Sequence, residues 1–148
     1  VDDEEVVTTG LGPEVSRGDF VSFDYFMSIE HPNNAAFLEK FRASYGEDAL
    51  MNTVGVAMYN AAHMAALALE KSGEVSTEAL REGLKDLEFA DAPQGPVRMR
   101  GLDHQLVLPS YLMRVADNWS GVNDMFEEIQ SFESVEPMDA RCDLPLSA

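Results

Sequence analysis

The sequence predicts an α/β fold, and three observations lead to this prediction. Apolar residues recur at helical spacing in residues 32–45 and 52–72, and they alternate at strand spacing in residues 20–26. Turns rich in Gly and Pro separate these segments. With 45% hydrophobic and 25% charged residues, the composition is that of an ordinary globular protein.

The first elements are a short acidic helix and an aromatic strand. Residues 2–9 form the helix, because four consecutive acids suit the positive end of a helix dipole, and Gly10, Gly12 and Pro13 break it. Residues 20–26 form the strand, in which Val21, Phe23 and Tyr25 share one face.

Three helices follow. The turn at residues 31–34 supplies an N-cap for the first, which ends near Gly46. The second, residues 52–72, is apolar nearly all round and is predicted to be buried between a sheet and a neighbouring helix, ending at Gly73. Ser76 or Thr77 caps the third. One core cluster among these helices is predicted from Phe37, Phe41, Tyr59, Leu67, Leu80, Leu84 and Leu87.

Strands dominate the remainder of the chain. The turn at residues 91–96 contains Pro93, Gly95 and Pro96, which no helix tolerates. Strands are predicted at residues 96–100 and 105–115. Pro109 interrupts the second and requires an edge or a bulge, because it lacks a backbone donor. A last strand is predicted at residues 129–135 of the acidic tail.

Charge and cysteine content exclude several classes of function. The formal net charge of −17 argues against binding to nucleic acid or to anionic membrane surfaces. Cys142 is the only cysteine, so the sequence predicts neither a disulfide within the chain nor a cysteine metal site. The longest apolar run, residues 54–69, is interrupted by Asn60 and His63 and is short for a membrane span.

No catalytic, cofactor or metal motif stands out. His31, His63 and His104 are scattered without carboxylates at metal-ligand spacing, and His63 is interpreted as a core or groove histidine. The serines lack the glycines of a nucleophile elbow, and no Gly-rich phosphate loop is present. The sequence therefore predicts no enzyme, no cofactor and no metal site.

Several segments, in order, resemble the C-terminal portion of type I periplasmic binding proteins, closest to the urea and short-chain amide branch. The resemblance covers residues 1–115 and fades after them. The segments that carry it are Tyr25-Phe26-Met27-Ser28-Ile29, Pro32-Asn33-Asn34, Phe37, Tyr45-Gly46, the apolar run that ends Glu70-Lys71-Ser72-Gly73, and the Pro93 to Pro96 turn.

The resemblance implies a partial two-lobe fold with a Rossmann-like sheet flanked by helices, truncated at the N-terminal side. Two lobes of ordinary size need roughly 250 to 400 residues, whereas this chain has 148. Residues 1–26 are expected in the C-terminal lobe, residues 27–105 in the N-terminal lobe, and residues 106–148 back in the C-terminal lobe and an acidic tail. Two chain crossings should therefore run side by side.

The function implied is that of the solute-binding component of an ABC transporter for urea, short-chain amides or amino acids. Its partners would be the small polar ligand and the transporter permease, and its location the periplasm. A cytoplasmic amide sensor of the same fold is an alternative. A free-standing acidic interaction module and an enzyme domain without its catalytic half are others. Exposed apolar surfaces of a fragment would favour a homo-oligomer.

Tyr25 is the one candidate ligand contact. The resemblance implies that the strand ending in Tyr25 leads into the hinge, so its phenol would lie near the mouth of the cleft and could hydrogen-bond a small polar ligand. The alternative is that Tyr25 packs between strand and helix.

Overall fold

The computed structural model describes residues 5–134 and Glu136, and within them the fold is α/β, as predicted. The helices are α1 (Glu5–Leu11), α2 (Pro13–Ser16), α3 (Pro32–Tyr45), α4 (Thr53–Ser72) and α5 (Thr77–Leu84). The strands are β1 (Phe20–Phe23), β2 (Glu88–Phe89), β3 (Val97–Met99), β4 (Leu106–Val107), β5 (Ser110–Val115) and β6 (Phe126–Phe132).

The strands form two antiparallel sheets. The first sheet has the order β1-β5-β6, with Phe23 opposite Tyr111 and a register shift of β5 against β6 between Leu112 and Met113. The second sheet has the order β2-β3-β4. Pro109 lies between β4 and β5, so the predicted interruption marks the place where the chain passes from the second sheet into the first.

Local chemistry fixes the helix ends close to their predicted positions. His31 caps α3, because its Nδ1 accepts from the backbone N–H of Asn33 at 3.2 Å. Asn52 caps α4, and Gly73, in the left-handed conformation with φ 71°, ends it. Of the two caps predicted for α5, the structure has Ser76, whose Oγ accepts from Ala79 N–H at 3.1 Å.

Three boundaries differ from the prediction. Helix α1 continues through Gly10, because one glycine inside a helix costs only about 1 kcal/mol, and it ends at Leu11, before Gly12 with its φ of 76°. Residues 2–4 lie outside the described residues. Strand β1 ends at Phe23, since Tyr25 and Phe26 turn into the core. Strand β6 pairs Phe132 with Ser110, so it ends where β5 begins, and residue 135 lies outside the described residues.

The core consists of two clusters, and the prediction of one helical cluster is wrong. The first cluster lies against the first sheet and includes Tyr25, Phe26, Met113 and Met125. The second cluster joins α4 to the second sheet and is made of Met64, Phe89, Ala92 and Val97. Of the residues predicted to meet, Phe37 packs on the first cluster, whereas Tyr59, Leu67, Leu84 and Leu87 pack on the second.

Helix α4 packs against α5 and the second sheet, as predicted, but it is not buried all round. Its buried residues Val56, Asn60, Met64 and Ala68 form one stripe at four-residue spacing. Val54 and Met58, on another face, are 59% and 65% exposed. Apolar composition therefore did not indicate which face of α4 has a packing partner among the described residues.

Candidate functional site

Tyr25 lies in the first cluster at the end of β1, with no exposed surface. Its hydroxyl donates to Asn34 Oδ1 at 3.0 Å. Burial, and secondarily the nearby Glu5, raise the pKa of Tyr25, so the hydroxyl stays protonated and can donate. The role of Tyr25 as a ligand contact stays a prediction, and in this chain its hydroxyl is engaged inside the protein.

Asn34 holds the segment that connects β1 to α3. It is 2% exposed, and its Nδ2 donates to the carbonyls of Met27 and Ile29, both at 3.0 Å. Together with the bond from Tyr25, one buried amide of α3 therefore binds both ends of residues 25–29. A buried amide needs such partners, because an unpaired polar group in the core is costly.

A buried turn lies between β2 and β3, and we call residues 90–95 the central turn. Ala92, Pro93, Gln94 and Gly95 are consecutive and all buried, which is unusual for a loop. Gly95 has φ 105°, and a Cβ placed on it would lie 3.4 Å from His31 Nε2. Gly95 thus permits both the left-handed backbone and the close approach of the imidazole.

Side chains from three elements bind the central turn. Asn33 of α3 donates from Nδ2 to the carbonyls of Ala90 at 2.8 Å and Ala92 at 3.0 Å. Asn60 of α4 donates to Gln94 Oε1 at 3.2 Å, and the Tyr111 hydroxyl of β5 donates to the Gln94 carbonyl at 2.9 Å. The central turn is therefore the place where α3, α4 and the first sheet meet the second sheet.

An open cavity of about 550 Å³ lies beside the central turn, within the size range of small-molecule sites. Gln94, His31 and Tyr111 line it together with carboxylates from the connection before α3, from β6 and from the segment after β6: Glu30, Glu128 and Glu133. Carboxylates accept hydrogen bonds. The cavity therefore suits a small solute that carries N–H donors, and it is the candidate functional site.

The sequence does not predict the roles of the buried or half-buried amides around the central turn and residues 25–29. It predicts only a turn for Asn33 and Asn34 and an interrupted apolar run at Asn60. One signal was available for Asn60: it occupies the stripe of Val56, Met64 and Ala68, where a buried amide requires a hydrogen-bonding partner elsewhere in the fold. Nothing in the sequence identified that partner as Gln94.

The other predicted candidates lie apart from the cavity. His63 stacks on Phe89 with ring centroids 5.1 Å apart, in a surface groove, which fits the groove histidine predicted. Within residues 5–134, no three His, Cys, Asp or Glu side chains are placed to hold a metal ion. None of the helices in the same part of the chain is long and apolar enough to cross a membrane. Cys142 lies outside the described residues.

Comparison with known proteins extends these observations. A family model described as a periplasmic binding protein domain matches residues 2–138. A Leu/Ile/Val-binding protein homolog from Brucella abortus is 29% identical over 123 residues, which are 81% of this chain and 30% of that protein. The chain thus spans about 30% of the length of the curated relatives it matches.

Solved structures share the fold. An amino acid ABC transporter substrate-binding protein from Pseudomonas fluorescens superposes with a TM-score of 0.76 at 19% identity, covering 90% of this chain and 35% of that one. A solute-binding protein from Rhodopseudomonas palustris, in complex with 3,4-dihydroxybenzoic acid, gives 0.70 at 19% identity, covering 82% and 32%. At such identities the likeness concerns the fold alone.

Proposed function

Because the chain belongs to the periplasmic binding protein family, we propose that it forms part of the solute-binding component of an ABC transporter. The observation that carries the proposal is the family match over residues 2–138. The members of this family bind solutes rather than catalyse reactions, and the relatives and neighbours described above carry binding-protein names.

The proposal includes two lobes, with residues 27–105 in one and residues 1–26 and 106–148 in the other. Two features support it. The chain leaves β1 at Phe23 and enters β5 at Ser110, and Phe23 pairs with Tyr111, so the two crossings run next to each other. Strands β2 and β3 of the second sheet lie within residues 27–105, whereas β4 (Leu106–Val107) lies just past the proposed boundary. Closure of two such lobes on a ligand would be a hinge motion about these crossings.

The ligand we propose is a urea, a short-chain amide or an amino acid. The cavity beside the central turn supports this class, because its carboxylates can accept from N–H groups. The name of the Brucella relative points to leucine, isoleucine and valine. Tyr25 is proposed as a further residue at the border of the cleft. The partner would be the transporter permease, in the periplasm.

Calorimetric titration tests the proposal. The longest natural protein that contains this chain is titrated with urea, acetamide, leucine and 3,4-dihydroxybenzoate. Saturable binding of at least one solute is the expected result, and the solute that binds decides between the amide and amino acid branches. No binding of any of the four would count against a solute-binding role for this branch of the family.

The 148-residue chain alone serves as the matched control. We expect no measurable binding to it, because the cavity beside the central turn would form only one part of a cleft whose remaining loops belong to the longer protein. In the longer protein, Tyr25→Phe should weaken binding by about 0.5 to 1.5 kcal/mol if the hydroxyl contacts the ligand. Unchanged affinity would leave Tyr25 as a packing residue.

A further inference from the structure

The hydrogen bonds of Asn33, Asn60 and Tyr111 converge on the central turn and connect elements of the two core clusters. The first cluster contains twelve buried residues, among them Tyr111, and the second contains four, among them Ala92. The central turn belongs to the second sheet, because it connects β2 to β3. It is therefore the part of the second sheet that reaches toward the first cluster.

The bond from Tyr111 to Gln94 links the two sheets directly. Tyr111 lies on β5 of the first sheet, and its ring is 7% exposed within the first cluster. Its hydroxyl donates at 2.9 Å to the backbone carbonyl of Gln94, and Gln94 is itself 2% exposed. Because both residues are largely buried, this hydrogen bond holds the central turn against β5, and removing its donor leaves the Gln94 carbonyl without that partner.

We propose that Tyr111 is a positioning residue whose hydroxyl couples the two sheets through the central turn. Asn33 is its counterpart on α3, because it binds the carbonyls of Ala90 and Ala92 in the same turn. Burial, and secondarily Glu128, raise the pKa of Tyr111, so the hydroxyl stays a donor. This coupling goes beyond the proposed function, because it operates within the chain and needs no ligand.

Amide hydrogen exchange of the 148-residue chain measures the coupling. Backbone bonds from Val115 to Asp19 and from Ala116 to Met125 report on the first sheet. Bonds from Met99 to Leu87 and from Arg100 to Gln105 report on the second. If the two sheets are coupled, they open together, and the four amides exchange from the same opened state. Their protection factors should then give the same free energy of opening.

Tyr111→Phe removes the hydroxyl and keeps the ring in the first cluster. The second sheet has the smaller cluster, so its amides, Met99 and Arg100, should become less protected relative to Val115 and Ala116. The expected change in this ratio is roughly 2- to 12-fold, the value of one hydrogen bond. Asn33→Ala is a second variant with a half-buried side chain, and it should change the ratio in the same direction.

Tyr59→Phe is the matched control. The Tyr59 ring packs on the second cluster, and within the described residues its hydroxyl makes no hydrogen bond, so the ratio should stay as in the unmodified chain. Equal loss of protection in both sheets for Tyr111→Phe and Asn33→Ala would show only general destabilisation and would overturn the proposal. Unchanged ratios in both variants would overturn it as well.

Discussion

At the scale of single residues, the hydroxyl of Tyr25 and the amide oxygen of Asn34 satisfy each other in a fully buried place. Tyr25→Phe leaves the oxygen without its donor, so the free energy of unfolding should fall by about 1 to 3 kcal/mol. Urea denaturation measures this. Tyr45→Phe is the control, because Tyr45 is 75% exposed, and it should change stability by less than about 0.5 kcal/mol. Equal midpoints for the two variants would contradict the prediction.

The ion pair of Arg100 with Asp103 gives a prediction about acid. The guanidinium donates to both carboxylate oxygens and lowers the pKa of Asp103 from 3.8 to about 2. A carboxyl with a depressed folded-state pKa stabilises the fold above its unfolded pKa, and this stability is lost as pH falls through the folded pKa. As the pH falls from about 4 to 2, the free energy of unfolding of the unmodified chain should therefore decrease by the contribution of this ion pair. The Asp103→Asn variant lacks that contribution at every pH.

Thermal unfolding at pH 6, 4, 3 and 2 measures the pH dependence for the pair of proteins. The difference in melting temperature between the unmodified chain and Asp103→Asn should be largest at pH 6 and shrink toward pH 2. Asp117→Asn is an exposed control whose partner is Arg114. A constant difference between the Asp103→Asn variant and the unmodified chain across this range would refute the assignment.

At the scale of elements, the contact of α4 with α5 depends on Gly83. A Cβ added there would lie 2.5 Å from the carbonyl oxygen of Ala68, which is backbone and cannot move aside. Gly83→Ala should therefore destabilise the chain by about 1 to 3 kcal/mol, although alanine favours helices. Thermal denaturation of Gly83→Ala and of the unmodified chain measures this loss of stability.

Gly10→Ala is the matched control for Gly83→Ala. Gly10 lies inside α1, and a Cβ there would have no neighbour within 4 Å. The substitution should stabilise the chain by about 0.5 to 1 kcal/mol, through helix propensity alone. The two glycines should thus respond with opposite signs, and responses of the same sign would contradict the close packing of α4 on α5.

The helices could be predicted from the sequence more fully than the sheets. Caps such as Asn52 and Ser76, and the terminator Gly73, act through neighbours a few residues away, so local sequence contains the information. Strand β2 has two residues and exists only because Phe89 pairs with Val97. Such pairing depends on distant chain segments, and no local pattern shows it.

At the scale of the whole molecule, the exposed face of α4 stands out against the overall charge. Residues 49–69 contain no Asp, Glu, Lys or Arg, in a chain with a net charge of −17. Two copies that meet through this face would avoid the repulsion between their acidic surfaces and bury Val54 and Met58. We therefore expect the 148-residue chain to form dimers or larger oligomers.

Light scattering at increasing concentration tests this expectation, and Met58→Glu should shift the chain toward the monomer. Val75→Glu is the control, because Val75 is 89% exposed in the loop between α4 and α5, away from the uncharged face. It should leave the oligomer intact. A monomeric unmodified chain at high concentration would contradict the prediction.

The candidate site could be predicted only in part. The sequence indicated the tight turn at Pro93 and Gly95. It did not indicate that Asn33, Asn60 and Tyr111 converge on that turn, because the partners are 17 to 59 residues apart in the chain. Contacts across such separations are set by tertiary packing.

The burial of the central turn limits where the chain can be cut or lengthened. Loops usually accept inserted peptides and protease cleavage because their backbones are solvated. Between Ala92 and Gly95, however, an inserted tag would have to push apart three anchoring elements, and a protease would find no extended backbone to bind. The loop at Glu74 and Val75 offers the opposite conditions, so affinity tags, fluorescent reporters and engineered cleavage sites belong there.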